Sequence, residues 1–120
     1  MEQPGGAKHH RERMGEAIRE EITAIIEGEL GDPRIGLVSV SEVNMADSRS
    51  AHVYVVVDGD EEEAAQSLLG LNAARGYIRR ELTSRLRLRQ APELTFALDR
   101  SQQYGARIEE LLNRVKQRNR

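Results

Sequence analysis

The sequence predicts a small α+β domain in which helices pack on one face of a three-stranded sheet. Its length of 120 residues and mass of 13.5 kDa suit one hydrophobic core and leave little room for a second. Apolar residues recur every three or four positions in some stretches and every second position in others, the periods of helix and strand. These stretches follow one another as helix, strand, strand, bent helix pair, strand, helix. Leu, Ile, Val and Phe make up roughly 23% of the chain, above the roughly 20% below which chains stay disordered.

Residues 1–8 contain Pro4, Gly5 and Gly6 without apolar periodicity and are expected to be a disordered lead-in. A single domain over 9–116 and a short basic tail over 117–120 complete the organisation. In the first helix Met14, Ile18, Ile22, Ile25, Ile26 and Leu30 form one stripe. Leu30-Gly31-Asp32-Pro33 ends it, because glycine suits the left-handed position after a helix and proline cannot continue the ladder. Residues 36–45 read as a strand with Val38 and Val40 on one face and Ser39, Ser41 and Val43 on the other.

Ala46-Asp47-Ser48 reads as a turn into a second strand, with Ala51, Val53, Val55 and Val57 opposite His52, Tyr54 and Val56. So short a link implies an antiparallel pair. Asp60 followed by Glu63 resembles a capping box. The helix it opens carries Ala64, Leu68 and Leu71, is interrupted at Ala74-Arg75-Gly76, and resumes with Ile78, Leu82 and Leu86. A glycine inside a helix costs about 1 kcal/mol relative to alanine, so a bend or close contact at Gly76 is expected to compensate. Beyond Ala91-Pro92, Leu94, Phe96 and Leu98 alternate as a third strand. Ser101 then caps a helix with the stripe Tyr104, Ile108, Leu111, Leu112 and Val115.

Composition removes several classes of function. The chain has no Cys, which excludes a disulfide scaffold, a thiolate zinc site and a cysteine nucleophile. The run from Val53 to Val57 falls far short of the roughly 20 apolar residues that span a bilayer. The start, MEQPGGAKHHRER, lacks the apolar stretch of a secretory signal, so a cytoplasmic setting without membrane contact is expected. His9 and His10 flank the lead-in, and His52 has no His or Cys at a ligand spacing. Asp32, Asp47 and Asp99 stand at element boundaries, where aspartate caps helices and turns. No phosphate loop, serine elbow or HExxH is present. An enzyme is not expected, and neither is a metal or cofactor.

The net charge of −2 averages over two opposed clusters. Asp58, Asp60, Glu61, Glu62 and Glu63 are acidic, whereas Arg75, Arg79, Arg80, Arg85, Arg87 and Arg89 crowd a later stretch. Arginine outnumbers lysine 16 to 2, and its planar fork suits phosphate, although base composition of a genome produces the same bias. A solvated helix face accounts for most such runs. The Ala74-Arg75-Gly76 interruption at the same place favours nucleic acid, because a bend lets backbone N–H groups approach a phosphate where side chains supply charge.

Several segments together resemble one family. They are Glu29-Leu30-Gly31-Asp32-Pro33-Arg34, Val43-Asn44-Met45-Ala46-Asp47 with Ala51-His52-Val53-Tyr54-Val55, Gly76-Tyr77-Ile78-Arg79, Leu86-Arg87-Leu88-Arg89-Gln90-Ala91-Pro92-Glu93-Leu94-Thr95-Phe96, and Asp99-Arg100-Ser101. In this order and spacing they resemble the ribosome-binding factor A family over about residues 8 to 115. The resemblance implies a type II KH-like fold whose usual GxxG loop is replaced by an Ala-x-Gly kink, here Ala74-Arg75-Gly76. It also implies a bacterial assembly factor that binds the free small (30S) ribosomal subunit and its 16S rRNA and assists late maturation of that rRNA's 5′ region. Under this reading Ala74, Arg75, Gly76, Arg79, Arg80, Arg85, Arg87 and Arg89 form the RNA-binding site, and the segment from Arg114 to Arg120 adds nonspecific attraction. A monomer is expected, and an assembly GTPase stays open as a further partner. The alternative is a protein–protein adaptor that docks through a strand edge or the acidic patch.

Overall fold

The computed structural model describes residues 4–28, 30 and 33–118, with side chains for all of these except 4–8 and 102–106. The elements are α1 (Pro4–Gly28), β1 (Leu37–Asp47), β2 (Ser50–Asp58), α2 (Glu61–Ala73), α3 (Arg75–Arg85), β3 (Glu93–Leu98) and α4 (Ser101–Arg118). This is the α+β order that the periodicities predict, and it agrees with the KH-like fold that the resemblance implies. β1 and β2 form an antiparallel hairpin, and β3 joins the other edge of β2 in parallel. A parallel pair cannot be closed by a tight turn, and α2 with α3 supplies the crossover.

The core lies between the sheet and α1, α2 and α3. Val40, Met45, Ala51, Val53, Val55, Leu94 and Phe96 are buried on the inner face of the strands. Ile18, Ile22 and Ile25 of α1 are fully buried against them, each contributing roughly 1.5–3 kcal/mol by leaving water. The helix comes so close that a Cβ on Gly15 would stand 2.7 Å from the Val43 carbonyl oxygen. The buried Ser67 of α2 accepts the Gly36 N–H at 3.2 Å, which ties the loop before β1 to that helix. The capping box at α2 forms as expected, with the Glu63 N–H donating to Asp60 Oδ1 at 2.8 Å.

The structure corrects the sequence reading at five places. α1 begins at Pro4, inside the stretch assigned to a disordered lead-in; proline is well suited to the first helical turn, where no N–H partner is lost. Residues 1–3, and Gly31 and Asp32 of the expected helix stop, lie outside the described residues. In β1 the pairing shifts between Val40 and Glu42, and this extra residue returns Val43 and Met45 to the inner face with Val40. Val43 therefore pairs with Val53 on the core side, away from Ser39. The strand also continues through Asp47, so the turn falls at Ser48-Arg49, where Asp47 Oδ1 accepts the Arg49 N–H at 2.7 Å.

The fourth correction concerns the kink. No glycine among the described residues has positive φ, and a Cβ on Gly76 would meet only Arg80 Nη1 at 3.6 Å. The break is at Ala74, whose φ of −85° and ψ of −2° are open to any residue. The fifth concerns α4, which is helical through Arg118 and so includes residues 117 and 118 of the expected tail. Its Ile108, Leu111, Leu112 and Val115 are 39%, 46%, 55% and 52% exposed. The inner face of the sheet is already filled by α1, α2 and α3, so the C-terminal stripe has no place on it. The Tyr104 side chain lies outside the described ones.

Candidate nucleic-acid interface

Ala74 joins two helices through a single residue. Its N–H donates to the Gly70 carbonyl at 3.0 Å and its carbonyl accepts the Ile78 N–H at 2.9 Å. α3 has no side-chain cap, so an acceptor from outside can take that position at the positive end of the helix. Gly76, Arg80 and Ser84 are four residues apart and exposed, on the face turned away from the buried Ile78 and Leu82.

The arginines divide into two groups. Arg79 Nε donates to the Pro92 carbonyl at 3.1 Å and its Nη2 to the Ala91 carbonyl at 3.0 Å, while Nη1 stands 3.5 Å from Glu93 Oε1. Arg85 bridges Glu21 of α1 at 3.3 Å and Glu81 at 3.5 Å. Both guanidiniums are thus engaged in holding elements together. Arg75, Arg80, Arg87 and Arg89 are exposed and have no hydrogen bond or ion pair from their side chains among the described residues. Arg79 does not share an outward face with Arg75, because its side chain turns toward the start of β3.

Sequence reasoning missed Arg49. Its carbonyl accepts the Glu93 N–H at 2.7 Å, which places the hairpin turn beside the start of β3, and its guanidinium has no partner among the described residues. No local signal could have joined Arg49 to a segment so distant in the chain. Ala74 and Arg75 lie at one end of α2 and Glu61, Glu62 and Glu63 at the other. A helix of 13 residues spans roughly 20 Å, more than twice the Debye length of about 8 Å at physiological ionic strength. The acidic cluster therefore does little to weaken a phosphate contact at the junction.

Asp99 organises the opposite end of the sheet. Its Oδ1 accepts the Ser101 N–H at 2.9 Å and hydroxyl at 2.6 Å, and its Oδ2 accepts the Ser41 hydroxyl at 2.6 Å. The Ser101 hydroxyl first, then the Ser41 hydroxyl and then the Ser101 N–H hold this carboxyl down at about 2. Asp99 thus fastens the start of α4 to the displaced residue of β1. His52 sits half-buried on the outer face between Asn44 and Thr95. No three His, Cys, Asp or Glu side chains gather for a metal among the described residues.

A sequence model of the family described as Ribosome-binding factor A matches residues 10–112. The Ribosome-binding factor A of Koribacter versatilis is 65% identical over 112 residues, covering 92% of this chain and 91% of its own. That of Carboxydothermus hydrogenoformans is 49% identical over 111 residues, covering 92% and 89%. Among solved structures, the crystal structure of ribosome-binding factor A from Thermus thermophilus superposes with a TM-score of 0.65 at 27% identity, covering 73% of this chain and 93% of that one. A homology model of the Thermus thermophilus factor, fitted into the cryo-EM map of a 30S complex, gives a TM-score of 0.62 at 28% identity, covering 75% and 96%.

Proposed function

Because the chain belongs to the ribosome-binding factor A family, we propose that it binds the free 30S subunit through 16S rRNA phosphates at the α2–α3 junction. It assists late maturation of the 5′ region of that rRNA without catalysing a reaction. The observation that carries this reading is the set of exposed arginines without partners among the described residues, Arg75 and Arg80 on α3 and Arg87 and Arg89 beyond its C-terminal end, together with an uncapped start to that helix. Arginine forks, backbone N–H groups and helix N-termini are the donors that position a protein on phosphate oxygens. Ala74 supplies the bend and Gly76 a bare stretch of backbone, while Arg79 ties α3 to the start of β3 and Arg85 ties it to α1. The factor works by holding one rRNA conformation better than its alternatives, since a ligand shifts an equilibrium only by its differential affinity. It acts as a cytoplasmic monomer, and an assembly GTPase stays open as a further partner.

Co-sedimentation with purified 30S subunits over a salt series tests the proposal. Each phosphate contact contributes a slope of about 0.7–0.9 to the fall of log affinity with log salt, so Arg75, Arg80, Arg87 and Arg89 together give a slope of roughly 3. Absence of binding at low salt, or a flat response, refutes the reading. The adaptor alternative has the uncovered α4 stripe in its favour, and it predicts no binding to protein-free 16S rRNA.

A further inference from the structure

Resting on this RNA-binding reading, we infer that residues 86–92, between α3 and β3, form a preformed clamp for RNA phosphates. Arg87 and Arg89 are its contacts, and Arg79 is the residue that positions it. The segment alternates between the protein and solvent. Leu86 packs partly buried against the core, Leu88 is half-buried, and Ala91 and Pro92 are buried. Arg87 and Arg89 between them are exposed.

Both ends of the segment are tied to the fold. At the first, the Leu86 N–H donates to the Leu82 carbonyl at 2.9 Å and the Leu88 N–H to the Thr83 carbonyl at 3.0 Å. The second of these bonds is the long closure of a Schellman motif, which requires a left-handed residue in between. Arg87 is that residue, with φ of 53°, and no other non-glycine residue described has positive φ. Glycine is the usual occupant because a Cβ opposes this conformation. At the other end, Arg79 grips the Ala91 and Pro92 carbonyls, and the Glu93 N–H is held by the Arg49 carbonyl.

An arginine where glycine is less strained, fixed on both sides and without a partner among the described residues, is an arrangement for an anion from outside. Backbone strain of this kind persists where surrounding structure over-determines it. Because folding has already ordered the loop, little backbone entropy is lost when a phosphate arrives. The planar guanidinium forks at positions 87 and 89 match phosphate oxygens in bidentate fashion.

The decisive variant is Arg87→Gly, which keeps the left-handed turn and removes only the side chain. Its denaturant midpoint should equal or exceed that of the parent. Its affinity for 30S subunits at low salt should fall roughly tenfold, as expected for loss of a charge-assisted hydrogen bond, and its salt slope should drop by about 0.7–0.9. Arg79→Lys keeps the charge but loses the fork across two carbonyls. It should weaken binding and speed amide exchange at Leu88, measured well below the unfolding transition. If the parent binds and Arg87→Gly retains both affinity and slope, the clamp is refuted while the RNA reading stands. Unchanged binding by Arg79→Lys removes Arg79 from it. A parent that fails to sediment with subunits overturns both readings together.

Discussion

Replacing Gly76 with alanine should stabilise this protein, and the argument depends on the backbone. The residue occupies the second position of α3 with helical, negative φ, so an L side chain introduces no conformational strain. An added Cβ meets only the far end of Arg80 at 3.6 Å, an ordinary van der Waals contact with a flexible group. What remains is the difference in helix propensity, which favours alanine by about 0.5–1 kcal/mol. For a domain of this size that raises the thermal midpoint by about 2–4 °C. With a urea dependence of roughly 1–1.5 kcal/mol per molar, the urea midpoint rises by about 0.3–1 M. Paired urea titrations followed by circular dichroism give the sign directly. A lowered midpoint would show that Gly76 carries a constraint absent from this geometry, and the assignment of the kink to Ala74 would fail. If the variant is more stable yet binds 30S subunits less well, the glycine serves close approach of a phosphate to the backbone.

Gly15→Ala should show the opposite sign. Its Cβ would lie 2.7 Å from the Val43 carbonyl oxygen, so α1 and β1 must separate, at a cost of about 1–3 kcal/mol measurable in the same titration. Arg80→Glu should leave the unfolding free energy within about 0.5 kcal/mol of the parent, since the side chain is exposed, and should weaken binding to 30S subunits; unchanged binding would move the interface elsewhere. Asp99→Ala should lower stability at neutral pH. The Asp99 carboxyl is depressed to about 2 in the folded state from about 3.9 unfolded. Its stabilisation is therefore present above pH 4 and lost as pH falls toward 2. The gap between parent and variant should narrow over that window, and a gap independent of pH would contradict the assigned role.

Features written in neighbouring residues are legible in the amino-acid sequence alone. The capping box from Asp60 to Glu63 spans one helical turn, and the alternation from Ala51 to Val57 needs only one strand. The order of elements follows from such local periodicities, because an apolar stripe reports which side of a segment seeks burial. It does not report what covers that side. Ile18 and Leu111 lie on equally plausible stripes, yet one is fully buried and the other 46% exposed, since the inner face of the sheet holds α1, α2 and α3 and no fourth helix. The displaced residue in β1 likewise has no local signature, because nothing in Ser41-Glu42 marks the shift that pairing with β2 imposes. The arginines show the same division. Their clustering is plain from composition, whereas tertiary structure alone sorts them into Arg79 and Arg85, which brace the fold, and Arg75, Arg80, Arg87 and Arg89, which face solvent. A guanidinium goes to whatever carbonyl or carboxylate the fold brings within reach, and apart from Glu81 on Arg85's own helix the partners of Arg79 and Arg85 come from other elements or the loop before β3.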